Sequence, residues 1–218
     1  MPEGVLAAIF DLDGVLTSTS ARHEQSWRDA AVQFGFPVSE ESLRATRSVP
    51  RASSLAALLA HAGLTMDQPK RDAVMAFKNA RYRELIANLS PADAFPGSRE
   101  KLLACRDLGL RIGVASASQN VRVVLERLEL IHLVDHIADS RAAAPKPSAE
   151  IYTLTCTALG ASPRHTVCIE DGAPIIANLR AEGMYTLGIG HEDLGAHEQA
   201  PDIASWNVGA TAARVASL

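Results

Sequence analysis

The sequence predicts an α/β fold with a doubly wound parallel sheet as its core and a second, helical domain inserted near the amino terminus. Short apolar runs alternate with segments whose apolar residues recur at helical spacing, which is typical of a parallel sheet covered by helices on both faces. This alternation stops after Leu16 and resumes after Pro96-Gly97. The stretch between is too long for a structureless loop and therefore predicts the inserted domain.

The predicted strands are apolar runs of a length that crosses a buried sheet once. They lie at 5–10, 111–115, 166–169 and 185–189, with a weaker candidate at 136–138. Predicted helices of the same region place apolar residues on one face, at 98–108, 120–128 and 149–159. We therefore assign 1–17 and 94–218 to the core that contains the sheet.

The inserted segment, 18–93, has amphipathic helical patterns and no clear strand. The patterns lie at 22–34, 54–61 and 70–86. Its two connections, 17–20 and the return Ser90-Pro91-Ala92-Asp93, are expected to act as hinges near the end of the first strand. We therefore predict a helical cap domain that works as a lid.

Composition limits the class of partner. The chain has 218 residues, 47% of them apolar, and a formal net charge of −4 without a basic stripe. This argues against a nucleic-acid or anionic-membrane surface, so we expect a small-molecule partner. The odd number and wide spacing of Cys105, Cys156 and Cys168 favour reduced thiols over disulfides or zinc. With no signal or membrane-spanning pattern before Asp11, we expect a cytoplasmic protein, with a monomer as the simplest state.

Two carboxylates follow the first predicted strand, in Phe10-Asp11-Leu12-Asp13-Gly14-Val15. Residues two apart on an extended backbone turn toward the same side, and open α/β sheets bind ligands at the carboxyl ends of their strands. One aspartate can attack phosphorus and form an aspartyl-phosphate while the other handles a proton. The alternative interpretation is an acidic turn built from ordinary turn residues.

Further polar groups follow the later strands. Ser116 starts a strand-to-helix turn that is either an anion-binding site or an ordinary N-cap. Lys146 lies between two prolines and is either aimed at phosphate or a solvated loop charge. Glu170-Asp171 are either Mg²⁺ ligands or acids favoured at the start of a helix. Their order at successive strand ends favours one phosphate site, because a cation and a phosphoryl group would compensate the repelling carboxylates.

With these motifs in this order, the chain resembles the haloacid dehalogenase superfamily of phosphotransferases over essentially its whole length, and within it the β-phosphoglucomutases. The resemblance rests on the Asp11 and Asp13 motif, His23 with Trp27, the return at 90–93, Ala115-Ser116-Ala117-Ser118, Lys146 and Glu170-Asp171. It implies a Rossmann-like core with a helical cap, Mg²⁺ as the cofactor and a small phosphorylated sugar as the partner.

The resemblance also implies roles for individual residues. Asp11 would be the nucleophile and a metal ligand, and Asp13 the general acid/base that also gives its backbone carbonyl to the metal. Glu170 and Asp171 would complete the metal shell. The transferring phosphoryl group would be held by Ser116, the Ala117 amide and Lys146. The sugar or its second phosphate would be bound by His23, Trp27, Arg47, Arg51, Lys78, Ser118 and Asn120.

Several residues depart from the family pattern. Ser48-Val49-Pro50 stands where Gly-Val-Ser is usual, and Gln119 stands where a lysine would help bind the second phosphate. Ser18 replaces an acidic residue, and Gly172-Ala173-Pro174 differs from the usual Ser-x-Ala. These changes spare the expected phosphoryl-transfer residues and bear on the identity of the sugar and the binding of a bisphosphate.

The leading expectation is a β-phosphoglucomutase that converts β-D-glucose 1-phosphate to glucose 6-phosphate through bound glucose 1,6-bisphosphate. A phosphatase of small sugar phosphates would use the same Asp11 chemistry with water as the acceptor. Gln119 favours the phosphatase, whereas His23, Trp27 and the two arginines at 47 and 51 favour the mutase. A third alternative is a sugar-phosphate-binding protein without turnover, against which every catalytic role has a candidate residue.

Overall fold

The structure, a computed structural model, describes residues 5–47 and 49–217. Residues 1–4 of the predicted core, Ser48 of the inserted segment and the last residue lie outside this description. The chain forms two compact units. The first runs up to Ser18 and continues from Ser90, and the second is Thr19–Leu89.

The first unit contains a six-stranded sheet whose neighbouring strands all pair in parallel. Its strands are β1 (Val5–Phe10), β2 (Arg111–Val114), β3 (His136–Ile137), β4 (Ala161–Glu170), β5 (Tyr185–Ile189) and β6 (Glu198–Ala200). Their spatial order is β3-β2-β1-β4-β5-β6, so the chain winds outward from β1 in both directions. The predicted α/β class with a doubly wound, Rossmann-like parallel sheet is confirmed.

Nine α-helices lie in the described part of the chain. They are α1 (Ser20–Phe34), α2 (Glu40–Arg44), α3 (Arg51–His61), α4 (Gln68–Ile86), α5 (Ser98–Asp107), α6 (Val121–Arg127), α7 (Glu150–Ala158), α8 (Ala173–Ala181) and α9 (Val208–Ala216). Short 3₁₀ turns occur at Pro91–Asp93, Ile131–Leu133 and Ile203–Ser205. None of the helices in these described ranges is long and apolar enough to cross a membrane.

The core of the first unit packs α7 and α8 against β1 and β4. Ile9, Tyr152, Cys168 and Leu179 belong to this buried cluster, and burying such side chains supplies most of the favourable free energy of folding. All three cysteines are buried and free. Because residues 7–10 of β1 and 166–170 of β4 are buried, the polar side chains at the carboxyl ends of these two strands lie where the buried part of the sheet ends.

The second unit is a helical domain around a separate apolar core, which includes Trp27, Leu55, Leu58 and Val74. Capping residues mark the ends of its helices. Helix α1 ends at Gly35, whose φ of 70° lets it adopt the left-handed conformation and donate its N–H to the carbonyl of Ala31. Helix α4 starts at Asp67, whose carboxylate accepts the N–H of Lys70 at 2.9 Å.

The sequence patterns missed some elements. Helices α2, α8 and α9 and the three-residue edge strand β6 were not predicted. Strand β4 begins five residues earlier than the predicted 166–169, because its first half alternates between exposed and half-buried residues and lacks an apolar run. The second half, 166–170, is fully buried.

Candidate active site

The strand order reverses between β1 and β4, and the carboxyl ends of these two strands lie side by side. Phe10 pairs with Ile169 in the register, and the N–H of Asp11 donates to the carbonyl of Ile169 at 2.9 Å. Asp11 and Glu170 therefore leave neighbouring strands at the same level. In open α/β sheets this reversal is where a binding crevice forms.

Lys146 joins these two carboxylates. Its Nζ lies 2.8 Å from Asp11 Oδ1 and 2.6 Å from Glu170 Oε1, and the three side chains are at most 6% exposed. The hydroxyl of Tyr152 donates to the same Glu170 Oε1 at 2.5 Å, and Lys146 Nζ also lies 3.3 Å from that hydroxyl. A buried network of four polar groups thus lies at the switch point of the sheet.

The pKa values of the network follow from burial and from an excess of negative charge. Burial raises the pKa of Asp11 above its usual range, and the charges of Glu170 and Asp171 add to this, while Lys146 opposes it. Burial and then Glu170 raise the pKa of Asp171 to about 6. Burial disfavours the charged form of Lys146, but the charges of Asp11 and Glu170 outweigh it and raise its pKa. Lys146 therefore stays charged, and one ammonium faces three acids.

Asp11, Glu170 and Asp171 each offer an oxygen atom, and these atoms all lie within 4.8 Å of one another. Carboxylate oxygens in such a cluster are the ligands that Mg²⁺ prefers. A divalent cation would neutralise the negative charge of the three acids that the single ammonium of Lys146 does not. Gly14 makes room for this arrangement, since a Cβ there would lie 1.9 Å from Asp171 Oδ2. Its φ of 94° is also a conformation that favours glycine. The donor set fits Mg²⁺.

Asp13 and Ser116 lie on loops next to this cluster. Asp13 is half-buried, in a turn closed by the N–H of Gly14, which donates to the carbonyl of Thr17 at 2.8 Å. Ser116 is buried and follows β2, whose end is tied to β1 by the N–H of Ala115 and the carbonyl of Phe10. The structure thus places Ser116 at the strand end that adjoins Asp11.

The loop after Ser116 is ordered by its own hydroxyls. The Oγ of Ser116 accepts the N–H of Ser118, and the Oγ of Ser118 accepts the N–H of Asn120, each at 3.2 Å. Asn120 is buried and Ala117 half-buried, whereas Gln119 is exposed. Since α6 starts only at Val121, the backbone of 116–120 is a turn of its own and not the first turn of a helix.

The second unit brings together three of its predicted site residues. His23 Nδ1 lies 2.7 Å from Lys78 Nζ, and the imidazole stacks on Tyr82 with ring centroids 3.8 Å apart. The ammonium of Lys78 lies 5.1 Å from the Trp27 ring and 5.0 Å from the Tyr82 ring. Burial, then the charges of Lys78 and Arg51, lower the pKa of His23 well below its usual value, so the imidazole is neutral.

The two predicted arginines have different surroundings. Arg51, half-buried at the start of α3, donates from Nη2 to Asn79 Oδ1 at 2.8 Å. Arg47 is exposed and makes an ion pair of 2.7 Å with Glu24, which is itself buried. The guanidinium of Arg47 therefore already neutralises an acid of its own unit.

Sequence reasoning missed the partners that hold these residues: Tyr152, Glu24, Asn79 and Tyr82. In the sequence, Tyr152 resembles an ordinary apolar residue of an amphipathic helix. The one signal for a polar contact is the rule that a buried hydroxyl needs a hydrogen-bond partner. Glu24 lies on α1 among residues that pack inward. Nothing local in the sequence indicated that Arg47 would reach it.

Comparisons with known proteins agree with this geometry. A family model for haloacid dehalogenase-like hydrolases matches residues 5–183. The β-phosphoglucomutase of Bacillus subtilis is 32% identical over 187 residues, which cover 84% of this chain and 83% of that protein. Hexitol phosphatase B of Escherichia coli is 28% identical over 173 residues, or 78% and 77% of the two chains. The crystal structure of a β-phosphoglucomutase from Clostridium difficile matches with a TM-score of 0.90 at 25% identity, covering 98% of each chain.

Proposed function

The chain belongs to the haloacid dehalogenase-like hydrolases, and on that premise we propose that it is a Mg²⁺-dependent β-phosphoglucomutase. It would convert β-D-glucose 1-phosphate to glucose 6-phosphate through glucose 1,6-bisphosphate. The observation that carries the proposal is the buried Asp11 at the sheet's switch point, in contact with Lys146 and beside Glu170 and Asp171.

Asp11 is the proposed nucleophile. Its carboxylate oxygen forms a bond to phosphorus as the bond from phosphorus to the sugar oxygen breaks, and the product is an aspartyl-phosphate. Asp13 donates a proton to the departing sugar oxygen. In the return step Asp13 takes the proton of the attacking sugar hydroxyl, the new phosphorus–oxygen bond forms, and Asp11 leaves as a free carboxylate. Proton transfer of this kind contributes about 10²- to 10⁴-fold.

Charge compensation is the second part of the proposed mechanism. Lys146 places an ammonium beside the attacking carboxylate, where it can stabilise negative charge on the phosphoryl oxygens. The Ser116 hydroxyl and the Ala117 amide are assigned to the same phosphoryl group. Mg²⁺, held by Asp11, the Asp13 carbonyl, Glu170 and Asp171, would neutralise charge as phosphate is transferred.

Sugar binding is assigned to the helical unit, in the role of a cap. The neutral His23 offers a donor for sugar hydroxyls or a phosphate, and so does the Lys78 ammonium, which lies 5.1 Å from the Trp27 ring and 5.0 Å from the Tyr82 ring. Arg51 offers a guanidinium for a phosphate, whereas Arg47 is assigned a weaker role because Glu24 pairs with it. Ser118 and Asn120 of the first unit are also assigned to substrate binding. The 32% identity to a β-phosphoglucomutase supports this assignment.

The second candidate is a phosphatase of small sugar phosphates. Gln119 favours it, because this exposed side chain brings no positive charge to hold a second phosphate. The similarity to hexitol phosphatase B points the same way. Water would then take the phosphoryl group from Asp11.

One experiment separates these functions. The protein is incubated with Mg²⁺, β-glucose 1-phosphate and a trace of glucose 1,6-bisphosphate, and glucose 6-phosphate and free phosphate are followed separately. A mutase forms glucose 6-phosphate in excess of free phosphate. Rapid release of free phosphate without the isomer would assign the phosphatase, and neither product with retained ligand binding would assign the binding protein. Asp11→Asn is the matched control and should form neither product.

A further inference from the structure

We propose that the hydroxyl of Tyr152 is a positioning group that fixes the carboxylate of Glu170 and so sets the affinity of the core for Mg²⁺. The identity of the cation rests on the proposed function. The role of Tyr152 itself rests on the geometry of the two side chains.

Tyr152 lies in the apolar core of the first unit, next to Glu170. It is the third residue of α7, is fully buried, and belongs to the apolar cluster that contains Ile9, Cys156 and Cys168. Its ring is thus fixed by packing. The polar groups meet its hydroxyl, except that the Lys146 ammonium also lies over the ring, 5.1 Å from the centroid. A tyrosine held in this way has few conformations to lose, so its hydrogen bond acts as a rigid restraint on its partner.

Glu170 receives donors on its two oxygens unequally. Oε1 accepts from Tyr152 at 2.5 Å and from Lys146 at 2.6 Å, whereas Oε2 accepts the N–H of Asp171 at a longer 3.1 Å. Two short bonds to one oxygen fix the rotation of the carboxylate. We infer that Oε2 is the oxygen that Glu170 offers to the cation.

The two donors to Oε1 are not equivalent. Lys146 has a flexible stem, and its ammonium is shared with Asp11 at 2.8 Å. In the proposed reaction it also serves the phosphoryl group, so its bond to Glu170 is the one that changes. The Tyr152 hydroxyl donates its proton to Glu170 at 2.5 Å and accepts a longer, 3.3 Å bond from Lys146. Burial and the charges of Glu170 and Asp11 raise its pKa well above the usual value, so it remains a donor near neutral pH.

The competing interpretation is that Tyr152 only fills space in the core. Tyr152→Phe distinguishes the two, because it keeps the ring and removes the one hydroxyl. Thr155→Val is the matched control, since it removes another fully buried hydroxyl from the same helix. That hydroxyl donates to the carbonyl of Ile151 at 2.6 Å and has no bond to Glu170.

Mg²⁺ binding to the metal-free proteins is measured by calorimetry near neutral pH. We expect Tyr152→Phe to bind Mg²⁺ about tenfold more weakly, in the lower range of what losing a partner of a metal ligand costs. Thr155→Val should bind as the wild type does. In steady-state kinetics, Tyr152→Phe should need about tenfold more Mg²⁺ for half-maximal rate, with an unchanged KM for the sugar phosphate.

The midpoint of thermal unfolding is also measured with and without Mg²⁺ for each variant. The Mg²⁺-induced shift is a difference within one variant, so a general loss of stability is not mistaken for weaker Mg²⁺ binding. A smaller Mg²⁺-induced shift in Tyr152→Phe than in Thr155→Val supports the proposal. In a Glu170→Gln background the same Tyr152→Phe change should leave Mg²⁺ affinity unaltered. Comparing Glu170→Gln with the double variant therefore tests whether Tyr152 acts on Mg²⁺ binding through Glu170.

Three results would overturn the proposal. Equal Mg²⁺ affinity of Tyr152→Phe and the wild type would show that the hydroxyl does not position a metal ligand, while the proposed function would stand. Equal weakening in Tyr152→Phe and Thr155→Val would show general loosening of α7. Absence of Mg²⁺ binding by the wild type would overturn both this inference and the metal dependence of the proposed function.

Discussion

Replacing Lys146 by methionine is expected to destabilise the first unit of the metal-free protein by about 3 kcal/mol. The ammonium lies 2.8 Å from Asp11 and 2.6 Å from Glu170, so each attraction is about 6 kcal/mol at an effective dielectric constant of about 20. Burying the ammonium costs several kcal/mol in return. Removing one partner of a buried pair typically costs about 3–5 kcal/mol, and protonation of Asp11 relieves part of it.

The loss can be measured in the first unit alone. Trp206 packs edge to face on Phe10, with ring centroids 5.9 Å apart, so its fluorescence in a Trp27→Phe background reports unfolding of that unit. A loss of 3 kcal/mol corresponds to a fall in the unfolding midpoint of about 10 °C. Lys101→Met, the same change at a half-buried position of α5, should cost at most about 0.5 kcal/mol.

The carboxylates provide the internal control. In an Asp11→Asn background, Lys146→Met should cost less than in the wild type, because one fewer acid is left unpaired. A cost below about 1 kcal/mol in the wild-type background, or the same cost in both backgrounds, would refute the view that Lys146 compensates a buried excess of negative charge.

Three further outcomes are expected. Ser116→Ala should lower kcat/KM by about 10- to 100-fold in steady-state kinetics, the effect of losing one hydrogen bond to a charged group. Gly14→Ala should weaken Mg²⁺ binding in calorimetry by at least about tenfold, because the new methyl carbon would lie 1.9 Å from Asp171 Oδ2. Gly63→Ala, also at positive φ but in open space, carries only the backbone strain and should bind Mg²⁺ as before. Gln119→Lys should raise the ratio of glucose 6-phosphate to free phosphate, because it adds a positive charge for a second phosphate; an unchanged ratio would contradict that role.

The fold could be predicted wherever burial was uniform. Strand β1 is a continuous apolar run and β5 is buried at every position, and the predicted bounds of both strands match the structure. Strand β6 and the first half of β4 could not be found in this way. The residues of β6 are Glu198, Gln199 and Ala200, and this edge strand is defined by its pairing with β5 and not by its own composition.

The candidate site likewise contains residues that the sequence could place and contacts that it could not. Asp11 and Glu170 could be placed together because each follows an apolar strand, and parallel strands end at one edge. The bonds of Tyr152 and Glu24 could not be predicted, since they depend on how one element packs on another. The hydroxyl of Tyr152 reaches Glu170 across 18 positions of sequence, and Arg47 reaches Glu24 across 23. Local patterns carry no information on such distances.

In the proposed reaction Asp11 becomes transiently esterified by phosphate. Its most direct test is to mix the wild-type protein with Mg²⁺ and glucose 1,6-bisphosphate, quench with acid and locate the modification by peptide mass spectrometry. We expect one added phosphoryl group on the peptide that contains Asp11, and none in Asp11→Asn. A phosphoryl group on another residue, or full turnover by Asp11→Asn, would contradict it.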